Sequence, residues 1–283
     1  MGQMVWEVPA PPAAAIAGPT AIELRDVTKR FRTPSGDIYT ALRDLNLTVG
    51  AGEFVSVVGP TGCGKSTTLA LISGLTPASS GEVLVQGKLV NGIGDNLGYV
   101  FQGDVLFPWK SVLGNVSSGL RFRGVNKKEA NERAREWIAK VGLSGFEDHY
   151  PHQLSGGMRK RTALAQSLIT SPELILMDEP FSALDVQTRA LMEDELLDLW
   201  SATSASVVFV THDLEEAIAL SDRVCVITAG PGTVKGIYEI DLPRPRHVSE
   251  IRFEPRFVEL YRDIWENLRD EVLVSYERAK QNV

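Results

Sequence analysis

A glycine-rich segment that ends in Lys-Ser-Thr fits the pattern G-x-x-x-x-G-K-[ST], which cradles nucleotide phosphates. Its residues are Gly59, Pro60, Thr61, Gly62, Cys63, Gly64, Lys65, Ser66 and Thr67. The glycines let backbone N–H groups turn inward around an anion, and the following helix N-terminus adds a positive dipole. We expect Lys65 to neutralise the β- and γ-phosphates and Ser66 to ligate Mg²⁺. For Cys63, a small residue that fits is a better interpretation than a redox thiol.

Two acidic residues follow the hydrophobic run Leu174 to Met177. A strand that ends in this way places Asp178 near the metal and Glu179 one step closer to the γ-phosphate. Glu179 would then orient or deprotonate the attacking water. The alternative is that the two acidic residues are simply solvated at a strand end. This alternative is disfavoured because the same chain carries a phosphate-binding loop.

Two further polar residues follow strand-like runs. His212 comes after Val207 to Val210, at the strand end where α/β sheets bind ligands, and a neutral imidazole there could donate to the γ-phosphate. Gln102 follows Tyr99-Val100-Phe101, and its amide could contact Mg²⁺ or the water. A structural histidine and a solvent-facing glutamine are the alternatives.

A second glycine pair opens a predicted helix, Met158 to Leu168, in the run Leu154-Ser155-Gly156-Gly157-Met158-Arg159. Ser155, Gly156 and Gly157 at a helix start would form another anion-binding surface. One γ-phosphate does not need two such cradles from one chain. Two copies arranged head to tail about a twofold axis would use both, with each ATP between two chains.

The order of the elements predicts an α/β fold. Short alternating runs from Ile22 to Val49 indicate a small antiparallel sheet, and the β-branched run Phe54 to Val58 precedes the glycine loop. Buried strands alternating with helices then imply a sheet covered on both faces. We expect a flexible leader over 1–20, a nucleotide-binding domain over 21–245 with a helical subdomain at about 103–160, and an amphipathic helix packed on the domain over 246–283.

Composition narrows the function classes. The 283 residues are 43% hydrophobic and 23% charged, which suits one large α/β domain or two small ones. A net charge of −7 disfavours a protein whose task is to coat nucleic acid. Cys63 and Cys225 are too few for a disulfide scaffold and fit a reducing compartment. The apolar stretch Val8 to Ile22 is interrupted by prolines and is too short for a membrane span.

From about Ile22 through the tail, the chain resembles the ATP-binding subunit of an ABC transporter. The residues that carry the resemblance are Gly59 to Thr67 (Walker A), Gln102 (Q-loop), Leu154 to Met158 (signature), Asp178-Glu179 (Walker B and catalytic base), Ser182-Ala183-Leu184-Asp185 (D-loop) and His212 (switch). The resemblance implies a P-loop NTPase (RecA-like) core, ATP and Mg²⁺ as ligands, Phe31 stacked on adenine, and Asp185 in the shared ATP site.

The same resemblance implies partners. These are a second copy of the chain, transmembrane permease subunits and, indirectly, a solute-binding protein, with no nucleic acid. The chain would lie at the cytoplasmic face of the plasma (inner) membrane, peripheral through the permease.

A narrower likeness points to importers of nitrate, taurine and alkanesulfonates. It rests on Leu106-Phe107-Pro108-Trp109, Asn115-Val116, Met158-Arg159 and Leu242-Pro243-Arg244-Pro245-Arg246. Lys160 departs from the pattern of these importers, which usually have glutamine at this position. The departure bears on the strength of the contact that the resemblance implies to the ATP across the dimer. The aromatics around Phe107 could form a docking groove for a membrane partner or pack in the core.

Rival functions are a soluble mechanical ATPase acting on DNA or ribosomes, a small-molecule P-loop kinase, and the ATPase of an exporter. The stretch from Ser66 to Ser155 is too short to hold long coiled coils, there is one set of motifs, and a kinase would need no serine-glycine signature. Nitrate, a sulfonate, taurine and a pyrimidine precursor remain open as the solute, because other subunits would select it.

Overall fold

Two β-sheets carry the architecture in this computed structural model, which describes residues 19–103, 105–182 and 184–281. The strands are β1 (Thr20–Arg32), β2 (Ile38–Gly50), β3 (Phe54–Val58), β4 (Ser80–Val85), β5 (Lys88–Leu89), β6 (Leu97–Val100), β7 (Leu174–Asp178), β8 (Ser206–Thr211), β9 (Arg223–Ile227) and β10 (Val234–Glu239). The helices are α1 (Lys65–Ile72), α2 (Val112–Val116), α3 (Ser118–Phe122), α4 (Lys127–Lys140), α5 (Gly156–Leu168), α6 (Val186–Ser201), α7 (Leu214–Leu220), α8 (Val248–Ile251) and α9 (Pro255–Gln281), with a 3₁₀ turn at Pro151–Gln153.

The larger sheet has the strand order β10-β9-β3-β8-β7-β6. Its strands β6, β7, β8, β3 and β9 run parallel, and β10 is an antiparallel edge. Successive residues of β3 enter two different cores: Phe54 and Val58 face the layer that contains α6, α7 and α9, whereas Val55 and Val57 face α1 and the smaller sheet. This sheet is therefore covered on both faces, as its continuous hydrophobic strands predict.

The smaller sheet is antiparallel, in the order β2-β1-β4-β5. Two of the short alternating runs, at 39–42 and 45–49, form one long strand, β2, because a bulge joins them. Asp44 adopts φ +45° in this bulge, and Thr28 on β1 both donates to its carboxylate and accepts from its backbone N–H. The strand thus bends without leaving its polar groups unpaired.

Between β6 and β7 the chain is helical. Helices α2 to α5 enclose a separate hydrophobic cluster in which Val116, Ala134 and Ile138 are fully buried. Asn126 caps α4 by accepting from the Glu129 N–H at 3.0 Å. The helical subdomain expected at about 103–160 falls in this part of the chain, and its last helix continues to Leu168.

The C-terminal helix α9 packs on the larger sheet's domain through Phe257, Leu260, Ile264 and Leu268, which are all buried. Val272, four residues after Leu268, is 38% exposed, so this apolar contact weakens toward the C-terminal part of the helix. Residues 1–18 of the predicted leader 1–20 lie outside the described residues, whereas Pro19 accepts from the Ala51 N–H at 2.8 Å and Thr20 of β1 pairs with Gly50 of β2. Among the helices of the described residues, none combines the length and apolarity needed to cross a membrane.

A cluster of buried charges joins α6, α7 and the segment after α8. Arg189 lies 3.0 Å from Asp213, and Arg252 lies 3.3 Å from Glu193, whose side chain is fully buried. Burial, with repulsion from Glu216 and Asp213, raises the pKa of Glu193 to about 8, although both arginines oppose the shift. The folded protein therefore holds a proton at Glu193 that the unfolded chain releases near pH 4.5.

This proton makes folding depend on pH. Between about pH 4.5 and pH 8 only the folded state keeps the proton on Glu193, so the free energy of unfolding falls as pH rises through this interval. The slope from one group is at most about 1.4 kcal/mol per pH unit. Replacement Glu193→Gln should flatten the decline in denaturant-measured stability between pH 5 and pH 8. Glu250→Gln, at an exposed site on α8, should leave the slope unchanged. Equal slopes in the two variants would contradict the raised pKa.

Candidate nucleotide site

The glycine loop after β3 has its shape imposed by its neighbours. Gly64 is the N-cap of α1 and adopts φ +104°, a conformation that glycine reaches without penalty. A Cβ at this position would lie 2.5 Å from Leu42 Cδ2 and 3.1 Å from the Ala41 carbonyl oxygen of β2. The smaller sheet therefore presses directly on the loop. Thr61, Gly62 and Ser66 are exposed on its outer side.

Lys65 is the first residue of α1, and its side chain is buried. Its ammonium donates to the carbonyl oxygens of Gly59 at 2.8 Å and Pro60 at 3.2 Å. The same nitrogen lies 3.9 Å from Glu179 Oε1. The cation is thus held inside the curve of the loop, where it can neutralise an anion that the loop's N–H groups bind.

A hydroxyl and a carboxylate meet at the end of β7. Ser66 Oγ donates to Asp178 Oδ1 at 3.0 Å, and burial raises the pKa of Asp178. Among the described residues there is no group of three or more His, Cys, Asp or Glu side chains that could hold a metal by themselves. Two oxygen ligands therefore fit a cation that takes its remaining ligands from phosphate and water, as Mg²⁺ does.

Glu179 lies at the centre of the site. Its carboxylate Oε2 is 2.9 Å from His212 Nδ1 and 3.4 Å from Gln102 Nε2, which donates to it. Its backbone adopts φ +42°, an uncommon conformation for a residue with a side chain. Two hydrogen bonds stabilise this strained conformation. The Glu179 N–H donates to the Val210 carbonyl on β8 at 2.8 Å, and the Ser182 hydroxyl donates to the Glu179 carbonyl.

Cys63 occupies a different position from its neighbours in the loop. Its side chain is 1% exposed, and burial raises the pKa of the thiol. Only its backbone can therefore face a ligand, which agrees with the interpretation of a small residue that fits. Thr67, the last residue of the predicted motif, lies within α1 and is half-buried.

An aromatic pair flanks the loop on the smaller sheet. Phe31 on β1 is directly opposite Tyr39 on β2, and Lys29 Nζ lies 4.9 Å from the Phe31 ring centroid. The Tyr39 hydroxyl donates to the Gly62 carbonyl at 3.4 Å, so this pair stands at the mouth of the loop. Tyr39 is not among the site residues that the sequence predicts. The turn at Thr33 to Asp37 could have indicated it, because antiparallel pairing across this turn places Tyr39 opposite Phe31.

The signature turn, Leu154 to Gly157, is a second and separate structure. Ser155 caps α5 by accepting from the Met158 N–H at 3.3 Å. A Cβ at Gly157 would lie 3.4 Å from Thr188, and the Thr188 N–H donates to Asp185, the N-cap of α6, at 3.0 Å. Ser155, Gly156 and Asp185 are exposed. Within the ranges that the structure describes, no hydrogen bond or ion pair joins the signature turn to the glycine loop.

A hairpin that the sequence analysis overlooked supports the glycine loop from behind. The Gly232 N–H donates to Ala41 at 2.8 Å, and the Arg43 N–H donates to Gly232 at 3.0 Å. A Cβ at Gly232 would overlap the carbonyl oxygen of Cys63. The run Gly230-Pro231-Gly232 marks a turn in the sequence, but nothing in it indicates this close approach.

Known proteins share these features. The family model described as ABC transporter matches residues 42–182. An uncharacterized ABC transporter ATP-binding protein of Methanocaldococcus jannaschii is 48% identical over 254 residues, which are 90% of this chain and 93% of the relative. The chain belongs to the ATP-binding proteins of ABC transporters. This confirms the resemblance, and it makes the chain an ATPase of the type that drives transport.

Two other relatives of this ABC ATP-binding protein carry solute names. The nitrate import ATP-binding protein of Synechocystis sp. is 41% identical over 253 residues, 88% of this chain and 95% of the relative. The taurine import ATP-binding protein of Burkholderia pseudomallei is 42% identical over 236 residues, 82% of this chain and 91% of the relative.

A solved structure confirms the predicted fold class. It is described as a dimeric post-hydrolysis state of the ATP-binding cassette MJ0796 bound to ADP and Pi. It matches with a TM-score of 0.70 and 33% identity, over 78% of this chain and all of the other.

The hairpin contact gives a test of the loop in this ABC protein. Gly232 lies outside the left-handed region, so Gly232→Ala adds no backbone strain, and its effect comes from the space that the methyl group takes against the Cys63 backbone and Leu42 Cδ2. Displacing a packed backbone costs about 1–3 kcal/mol, so we expect the affinity for ATP, measured by calorimetry, to fall about fivefold or more. Gly94→Ala is the control, since a Cβ there meets nothing within 4 Å. Equal affinities in the two variants would show that the hairpin does not shape the loop.

Proposed function

We propose that this chain is the ATP-hydrolysing subunit of an ABC importer for a small anionic solute of the nitrate, sulfonate or taurine type. The observation that carries the catalytic part is the placement of Glu179 within hydrogen-bonding reach of His212 and Gln102 and 3.9 Å from Lys65. The nitrate and taurine relatives support the import and solute parts.

The active form is a homodimer. The exposed Ser155 turn and the glycine loop each offer backbone N–H groups to an anion, and among the described residues no hydrogen bond or ion pair within one chain joins them. A head-to-tail pair places each ATP between the loop of one copy and the signature turn of the other. The solved cassette dimer with ADP and Pi supports this arrangement.

The proposed chemistry follows from the residues around the phosphate. Glu179 accepts a proton from the attacking water, and the His212 ring, 2.9 Å away, holds that carboxylate in position and reaches the γ-phosphate. Lys65 offsets the charge that develops on the phosphate oxygens. Ser66, Asp178 and Gln102 would hold Mg²⁺, which would supply positive charge to offset the charge on the phosphate oxygens.

Closure and opening alternate with this reaction. The triphosphate joins two chains because its charge is shared by a cradle on each of them, so ATP binding closes the dimer. Hydrolysis divides the bridge into ADP and phosphate, and the dimer opens. Gln102 connects the site to the helical segment that follows it, so this segment moves with the change and transmits it to a membrane partner.

A permease subunit is the proposed occupant of the aromatic groove after Gln102. The groove has a volume of about 390 Å³ and is lined by Phe101, Phe107 and Phe122 among others. Trp109 and Phe122 are 71% and 72% exposed, which favours docking over core packing. This contact would hold the chain at the cytoplasmic face of the membrane, and a solute-binding protein would act on the far side of the permease.

The loop that presents Trp109 is rigid. Buried Asn115 accepts from the Phe107 N–H at 2.7 Å, and its amide donates to the carbonyls of Phe107, Lys110 and Ser111 at 3.2, 2.9 and 3.0 Å. One side chain therefore lies within hydrogen-bonding distance of four backbone groups of this loop and shares its two amide hydrogens among three carbonyls. A preformed loop loses little conformational entropy when a partner binds.

The catalytic part is tested by Glu179→Gln. The amide keeps the shape but cannot accept the proton, so turnover should fall by about 10² or more while ATP binding remains. With ATP and Mg²⁺ the variant should accumulate as a dimer in size-exclusion chromatography. Unchanged hydrolysis would remove Glu179 from this role.

A second substitution, added to the Glu179→Gln variant that is expected to accumulate as a dimer, tests the role of the signature turn. Ser155→Arg places a bulky side chain on the exposed cradle, so it should abolish the dimer while leaving binding of ATP to the single chain nearly intact. Loss of ATP binding itself would contradict the arrangement with two cradles.

The docking part is tested by co-purification. A permease and a solute-binding protein should co-purify with the wild-type chain from detergent extract, and Trp109→Glu should reduce the recovered permease about tenfold or more, because it places a charge in an apolar contact. Trp265→Glu, on the exposed side of α9, should not. Recovery of ribosomes or DNA instead of membrane subunits would overturn the transport role.

A further inference from the structure

Lys160 makes a contact that its sequence position does not suggest. It lies in α5, one and a half turns after Ser155, and its side chain is only 6% exposed. Its ammonium donates to the backbone carbonyl of Gln102. A buried cation needs such hydrogen bonds, because donors left unpaired in the interior lose the water that would otherwise solvate them.

The two ends of this contact belong to different ATP sites. Ser155, at the start of α5, offers its cradle to the nucleotide of the other copy in the proposed dimer. Gln102 lies beside Glu179 of the same chain, 3.4 Å from the carboxylate that acts on the chain's own nucleotide. Lys160 lies only about 7.5 Å along the helix axis from Ser155.

The contact constrains how these parts can move. A helix transmits displacement along its axis as a rigid body, and the Gln102 backbone is bound to α5 through a nearly buried charge. A shift of the signature turn therefore shifts Gln102, and with it the amide that donates to Glu179. A glutamine in place of Lys160 would be shorter and uncharged, so it would hold the carbonyl less firmly.

We infer that Lys160 is a positioning residue that couples the two ATP sites. Engagement of the signature turn by the partner's nucleotide acts through α5, Lys160 and Gln102 on the placement of Glu179 in the chain's own site. The coupling rests on the proposed homodimer, and it adds to that proposal a residue outside the nucleotide-binding motifs.

A double-mutant cycle in the full-length chain tests the coupling, with steady-state ATP hydrolysis as the measurement. Lys160→Met removes the donor, so kcat should fall about tenfold while KM for ATP changes by less than about twofold. Ser155→Ala removes the hydroxyl of the cradle and lowers kcat as well. In the Ser155→Ala background, Lys160→Met should lower kcat by less than about twofold, because the signal that it transmits is already lost.

Matched variants separate positioning from folding. Lys160→Arg keeps the charge and a donor and should restore at least about half of kcat. Lys128→Met, at an exposed lysine of α4, should leave kcat unchanged. Should Lys160→Met fail to fold, Lys160→Gln retains a neutral donor and can be used in the same cycle.

The outcomes distinguish this inference from the proposed function. If Lys160→Met lowers kcat by the same factor with and without Ser155→Ala, or does not lower it, the coupling is overturned and the dimer stands. If Ser155→Ala leaves kcat unchanged, the arrangement with two cradles fails, and the coupling fails with it.

Discussion

The carboxyl ends of β3, β7 and β8 meet at one edge of the parallel sheet, and the site depends on this alignment. Register places Val58 beside Thr211 and Asp178 beside Val210. The residues that follow these strands are therefore forced together, although more than 100 positions separate Ser66 from Asp178 in the chain. Hydrophobic burial of the strands on both faces holds the register, because a slip by one residue would turn every side chain to the opposite face.

The glycine loop is supported by contacts as well as by its own sequence. Leu42 and Ala41 of β2 press on Gly64, and Gly232, which is hydrogen-bonded to Ala41, leaves no room for a side chain beside Cys63. The smaller sheet and the C-terminal hairpin thus both limit the space of the loop. Close packing of this kind gives the loop one conformation, so its N–H groups need little rearrangement to bind an anion.

The two turns predicted to bind anions are separate in the chain's structure, so in the proposed homodimer each chain supplies half of two ATP sites. Ser155 and Asp185 are exposed on a surface of their own, whereas Lys65 and Glu179 lie at the strand edge. In that proposed arrangement, the bound nucleotide controls the interface between the two copies. In the proposed transporter, the choice of solute belongs to other subunits, because selectivity lies in the site that binds the solute.

The sequence by itself determined the elements and the chemistry, because both depend on local patterns. Continuous β-branched runs predicted the parallel strands, Gly59 to Thr67 predicted a phosphate loop, and the acidic pair after Leu174 to Met177 predicted a base and a metal ligand. The fold and the family are confirmed, whereas the individual roles of the site residues stay predictions. Only the tertiary structure decided the contacts of Tyr39, Gly232 and Lys160, since each joins segments far apart in the chain. Such contacts arise from packing, and neither residue type nor periodicity encodes which distant backbone atom a side chain will meet.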